Sequence, residues 1–328
     1  MSEGEFSRLP QGAQVAYMGD LPPVVLIGSA CFDVKGTVGE EFYPSSSNPG
    51  RVRVSLGGTA RNIAESLARL DVPTRLLTAV GDDAQGRQIV AQTRAAGVLI
   101  DDEALVVAPG LTSGSYLALL RDDGQLIVGV DDTGVTRRIT PRHIHGCRRL
   151  IRDAALVVVD ANLRPQTLRV VLRLCRRYGV GVCLDPVSVA LARGLAPLLP
   201  GAALITPNMR EAAALSGLPV TTREEALAAA RLLQERTSGV VVVTMAHGGA
   251  VYVSAAASGH IPAIETAVVD ATGAGDALTA GVIFGMLNDF PLDDAIALGT
   301  AMASLTMQSP ETVRADLTLE RVYAHLKL

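Results

Sequence analysis

The stretch Asp270-Ala271-Thr272-Gly273-Ala274-Gly275-Asp276 carries the densest chemical information in this sequence. Its glycines let backbone approach a ligand closely. The apolar run behind it, Ala277-Leu278-Thr279-Ala280-Gly281-Val282-Ile283-Phe284, predicts a helix buried on nearly every side. The amino terminus of such a helix offers unpaired N–H groups and a partial positive charge, which suits a phosphate. Asp276 at that terminus sets a carboxylate beside the anion, where it can orient a hydroxyl and accept its proton. The same pattern also fits an ordinary glycine-rich turn with Asp276 as helix cap. It is neither common nucleotide loop: the Gly-Lys-Ser/Thr of a P-loop and the third glycine of the dinucleotide fingerprint are both missing.

The elements needed to position these residues follow from the apolar pattern. Short apolar runs predict buried strands at 24–27, 76–80, 156–159, 180–184, 203–205 and 240–244, and Ala267-Val268-Val269 reads as another just before the glycine-rich stretch. Helical spacing appears at 63–70, 86–96, 166–178 and 223–237. Strand–helix alternation of this kind predicts an α/β domain with a mostly parallel sheet covered on both faces. Two segments break it. Residues 33–56 are too polar and turn-rich for a crossover helix, with 51–56 alternating like a half-exposed strand, and 115–120 and 125–130 flank Arg121-Asp122-Asp123-Gly124 as a hairpin. Together they predict a small second sheet over the carboxyl ends of the main strands, where α/β proteins bind ligands.

Composition narrows the class. The 328 residues are 48% apolar, enough for a sizeable core without staples, and the net charge of −4 leaves no basic footprint for a nucleic acid polymer. The pairs Arg148-Arg149 and Arg176-Arg177 read as solvated helix ends. No uninterrupted apolar stretch nears the roughly 18–20 residues a membrane span needs. Residues 1–22 read as a frayed N-terminal extension without the apolar region of a signal peptide. Cys31, Cys147, Cys175 and Cys183 are scattered, as buried thiols in a reducing cytoplasm would be. His143 and His145 lack the companions a metal site needs.

The stretch from Asp270 to Asp276 resembles the signature of the ribokinase-like carbohydrate kinases, and Gly57-Gly58-Thr59-Ala60-Arg61-Asn62-Ile63-Ala64 resembles that family's amino-terminal sugar-binding motif. The likeness runs from about Pro23 to the carboxyl end. It implies a three-layer α/β/α kinase domain over 23–328, with a β-sheet lid from 34–56 and 112–135, using ATP to phosphorylate a sugar or nucleoside. Asp276 would be the catalytic base, with Gly273, Ala274 and Gly275 forming the anion hole. Asp33, Asn48, Gly57, Gly58, Asn62 and Asn162 would bind the substrate. Asn208, Glu211, Thr244 and Gly249, with Gly273 and Gly275, would bind the nucleotide; Glu211 would meet magnesium through water, and Asp185 would join the phosphate site from a strand end. Asp270 and Thr272 would form a site for potassium. Ala246 departs from the family pattern, which has glycine in that phosphate-side loop.

Within the family, Ser47-Asn48-Pro49-Gly50-Arg51, Arg61 beside Asn62, and Asp185-Pro186-Val187-Ser188 look most similar to pseudouridine kinases, implying the 5′-hydroxyl of pseudouridine as acceptor. Arg61 could instead simply pair with Glu65 on the helix surface. Cys31 and Asp132-Thr133-Gly134 deviate, which keeps another nucleoside or ribose open, as does a sugar-binding protein on this fold without catalysis. The apolar lid residues Val52, Val54, Tyr116 and Leu117 need covering, which implies a homodimer paired through lid edges.

Overall fold

The computed structural model describes residues 21–39, 41–122 and 126–326. The expected extension therefore lies, up to residue 20, outside the described residues, as do Asp123 and Gly124 of the expected turn. The strands are β1 (Val24–Ile27), β2 (Cys31–Val38), β3 (Gly50–Gly57), β4 (Thr74–Gly81), β5 (Leu105–Ala108), β6 (Gly114–Arg121) and β7 (Leu126–Asp132) in the first part of the chain. They continue as β8 (Leu156–Asp160), β9 (Gly181–Asp185), β10 (Leu204–Ile205), β11 (Val240–Thr244), β12 (Ala250–Val253) and β13 (Ser258–Ile261). Nine of them form one sheet in the order β13-β12-β11-β10-β9-β8-β1-β4-β5. Every pairing is parallel except β11 with β12 and β12 with β13.

Helices cover both faces because successive side chains of each strand point opposite ways. They are α1 (Thr59–Ala68), α2 (Ala84–Ala95), α3 (Pro141–Gly146), α4 (Arg148–Arg152), α5 (Pro165–Tyr178), α6 (Val189–Leu195), α7 (Met209–Ser216), α8 (Arg223–Gln234), α9 (Ala274–Leu287), α10 (Leu292–Met307) and α11 (Leu319–Leu326). Val25, Ile27, Val157, Val159 and Leu184 pack with α5, α6 and α8, whereas Val24, Leu26, Leu156 and Val158 pack with α1, α9 and α10. These are the expected three layers. As its apolar composition predicts, α9 is buried from Ala277 to Gly285.

The second sheet has four strands in the order β3-β2-β6-β7. Its β6 and β7 are the expected hairpin, and β2 runs antiparallel to β3 but parallel to β6. Residues 31–38 are thus a full strand, hidden in the sequence by Asp33, Lys35 and Gly36. The expected strand at Ala267-Val268-Val269 does not form. Val268 and Val269 are 51% and 56% exposed at the cavity mouth, so their apolar character serves that surface and not the core.

Candidate active site

The sheet's switch point falls at β1, which pairs with β4 on one side and β8 on the other. Open α/β sheets bind ligands at the carboxyl edge of such a point. There Asp160, fully buried at the end of β8, accepts from the backbone N–H and the hydroxyl of Ser29, both at 2.7 Å. Its other oxygen accepts from the N–H of Asn162 at 3.0 Å. The Asn162 amide donates to the Ser29 hydroxyl at 3.2 Å and accepts from the Thr133 hydroxyl at 2.9 Å. Burial raises the Asp160 carboxyl above its ordinary range.

A cavity of about 990 Å³ opens above this network, between the sheet edge and the lid. Asp276, in the first turn of α9, lines it and accepts from the Asn62 amide at 2.7 Å. Asn62 is itself held by Arg61, whose Nη2 and Nε donate to its oxygen at 2.6 and 3.2 Å. Arg61 is buried and pairs with Glu65 at 2.8 Å, so the pairing exists but not on a helix surface. Burial pushes the Asp276 carboxyl up to about 7, opposed by the Asn62 hydrogen bond and aided by the negative charge of Asp33. The N–H groups of Gly275 and Asp276 have no acceptor among the described residues. Gly273 caps the helix at φ +83, and a Cβ there would sit 2.1 Å from the Thr312 carbonyl oxygen. Only glycine allows that approach.

Where the acceptor was expected, Cys31, Asp33, Gly58 and Asn62 line the cavity together with Tyr116, Asp131, Thr133 and Asn162. Gly57 leaves room for the Asp33 carboxylate, since a Cβ would meet it at 2.0 Å. Gly58 turns the chain into α1 at φ +95. Burial raises the Asp33 carboxyl, while Lys35 and the Cys31 thiol, at 3.4 Å, pull it down. Asn48 is not brought to this cavity. Its oxygen accepts from the Tyr43 N–H at 2.7 Å, and its amide donates to the Tyr43 and Ser46 carbonyls at 2.9 and 3.0 Å. It pins the connection between β2 and β3. Tyr116 also departs from expectation, facing the cavity instead of the outer lid surface.

Where the nucleotide was expected, Asn208 and Glu211 form a reciprocal capping box: the Glu211 N–H donates to the Asn208 oxygen at 3.0 Å, and the Asn208 N–H to Glu211 at 2.9 Å. Thr244 pairs with Asn208 in an isolated parallel bridge. Gly249, at φ +78, immediately precedes β12, and Ala246 adopts φ 49, a conformation easier for glycine. A second cavity of about 640 Å³ opens here, lined by their neighbours Met209, Met245 and Gly248 and by His247 and His260. Asp185 ends β9, and burial raises its carboxyl well above the usual range, helped by the charges of Asp276 and Glu211. Burial likewise raises Glu211. Among the described residues no three ligand side chains converge tightly enough to hold a metal directly. The neighbouring carboxylates of Asp185 and Glu211, without a cation beside them among the described residues, nevertheless fit a magnesium ion held through its waters.

Potassium does not fit in the same way. Both oxygens of Asp270 are engaged: Oδ1 accepts from the Thr272 N–H at 2.8 Å, and Oδ2 faces the Lys35 ammonium at 2.6 Å. A side-chain cation, Lys35, thus stands at the expected monovalent-cation site of Asp270 and Thr272.

The family model for pfkB family carbohydrate kinases matches residues 22–318. The chain belongs to the pfkB carbohydrate kinase family. It is accordingly an ATP-dependent kinase, on the ribokinase-like fold with a small separate sheet. It is similar to a pseudouridine kinase of Escherichia coli (strain K12), with 31% identity over 300 residues covering 91% of this chain and 95% of the relative. A guanosine-inosine kinase of Exiguobacterium acetylicum is 28% identical over 293 residues, covering 88% and 95%. The Arabidopsis thaliana ribokinase solved with ribose and ATP superposes with a TM-score of 0.80, covering 94% of this chain and 99% of that one at 23% identity.

Sequence reasoning missed several residues in and around this pfkB kinase's candidate site. Asp160 could have been found as a carboxylate at a strand's end, the signal that singled out Asp185. Ser29 and Lys35 gave none, since each matters through a partner more than a hundred residues away.

Proposed function

We propose that this kinase transfers the γ-phosphoryl group of ATP to the 5′-hydroxyl of pseudouridine, giving pseudouridine 5′-phosphate and ADP. The carrying observation is the Asn62–Asp276 contact of 2.7 Å at the cavity floor, beside first-turn N–H groups without acceptors among the described residues. A hydroxyl placed against Asp276 would give up its proton there as its oxygen attacks the phosphorus. The first turn of α9, opened by Gly273, Ala274 and Gly275, would hold the transferring oxyanions. Magnesium, held through its waters by Glu211 and Asp185, would neutralise phosphate charge. Asn208, Thr244 and Gly249 would shape the nucleotide side.

Pseudouridine as acceptor rests on the 31% identity with the Escherichia coli enzyme and on a cavity with room beyond a ribose for a base. Asp33, Gly57, Gly58 and Asn162 would take the ribose, with Tyr116, Asp131 and Thr133 beside the base. A second reading, another nucleoside, is favoured by Cys31, whose thiol leans on Asp33 in the same cavity. Four buried, unpaired cysteines suit a reducing cytoplasm.

A panel of pseudouridine, uridine, guanosine, inosine and ribose, with ATP consumption and product mass as readouts, tests the assignment. Pseudouridine is expected to give the highest kcat/KM. A purine nucleoside or free ribose ahead of it would overturn the acceptor but leave the kinase standing.

A further inference from the structure

The strand β2 turns every second side chain to the cavity, and Cys31, Asp33 and Thr37 line it. Lys35 belongs to that face. Its side chain is 6% exposed, and its ammonium lies 2.6 Å from Asp270, whose side chain is 14% exposed. The two residues stand 235 positions apart and join the lid to the loop that opens α9. Asp270 shapes that loop. Its Oδ1 takes the Thr272 N–H, and its own N–H donates to the Met307 carbonyl at 3.2 Å. Gly273 and the anion-hole N–H groups follow directly.

We propose that the Lys35 ammonium is the built-in cation of this enzyme's anion-hole loop, a positioning residue that replaces a dissolved monovalent cation. The inference rests on the kinase reading of the site. Asp33 and Asp270 both crowd this end of the cavity with negative charge, and an incoming phosphate adds more. One fixed positive charge between them offsets the repulsion that would push the loop apart. A lysine delivered by the fold is present at any salt concentration, whereas a dissolved ion must be recruited. Because Lys35 rides on the lid, the loop is also held only while the lid covers the cavity.

Wild type and Lys35→Met, with ATP and pseudouridine and tetramethylammonium as the sole monovalent cation, are titrated with KCl at constant ionic strength. Melting temperature is followed in parallel without substrates. Wild type is expected to hold both its rate and its melting temperature throughout. Lys35→Met should lose at least about tenfold in kcat without potassium. It should regain rate and melting temperature as potassium rises. Stimulation of wild type by potassium overturns the proposal. So does a Lys35→Met variant that is indifferent to potassium in both readouts, whether active or inactive. The melting measurement needs no acceptor, so a wrong acceptor assignment leaves this test intact.

Discussion

Asp276 must be ionised to accept a proton, yet burial pushes its carboxyl up to about 7, and the hydrogen bond from Asn62 restrains the rise more than the Arg61 charge does. The rate should therefore climb with pH through the neutral range and level above it, because protonation below that range removes the base. Asn62→Ala removes the restraint, so the acidic limb of kcat/KM against pH should move to higher pH. The same variant should weaken the acceptor by about 1–3 kcal/mol while ATP affinity stays put. An unmoved limb, or equal weakening of both substrates, would show Asn62 to be structural only. Asp276 and Asn62 were legible because each sits inside a short motif of fixed spacing. The Asp160–Ser29 network and Lys35 were not, because a single sequence does not show which distant strand ends meet.

At the scale of elements, α9 positions the chemistry, and its placement depends on how closely α10 approaches. A Cβ on Gly281 would lie 2.5 Å from the Gly299 Cα, so the two backbones touch where any larger residue would wedge them apart. Gly281→Leu should cost about 1–3 kcal/mol, read as a lower denaturant midpoint at unchanged slope. An unchanged midpoint would mean that the helices have slack. The strand–helix alternation was readable because β-branched runs and amphipathic spacing are local signals. Ala267-Val268-Val269 misled for the same reason: three apolar residues look alike whether they face a core or a ligand-side mouth. The strand β2 escaped because its cavity-facing residues, Asp33 and Lys35, are charged where a buried strand should be apolar.

Across the whole molecule, the lid presents an outer face with Val52 71%, Val54 57%, Leu117 48% and Val130 58% exposed. We infer that a second copy covers this patch, making the enzyme a homodimer through its lids. Val54→Asp should then convert a dimer into a monomer in light scattering after size exclusion, and a wild type that is already monomeric would refute the inference. The apolar pattern made this surface visible in the sequence, although Tyr116 was assigned to it and instead faces the cavity. The account as a whole stands on Asp276 as the base, and the turnover of Asp276→Asn with bound acceptor tests it most directly. Acceptor affinity by calorimetry should stay near wild type while kcat falls by about 10²- to 10⁴-fold. A variant that binds acceptor and turns over at the wild-type rate would contradict the account.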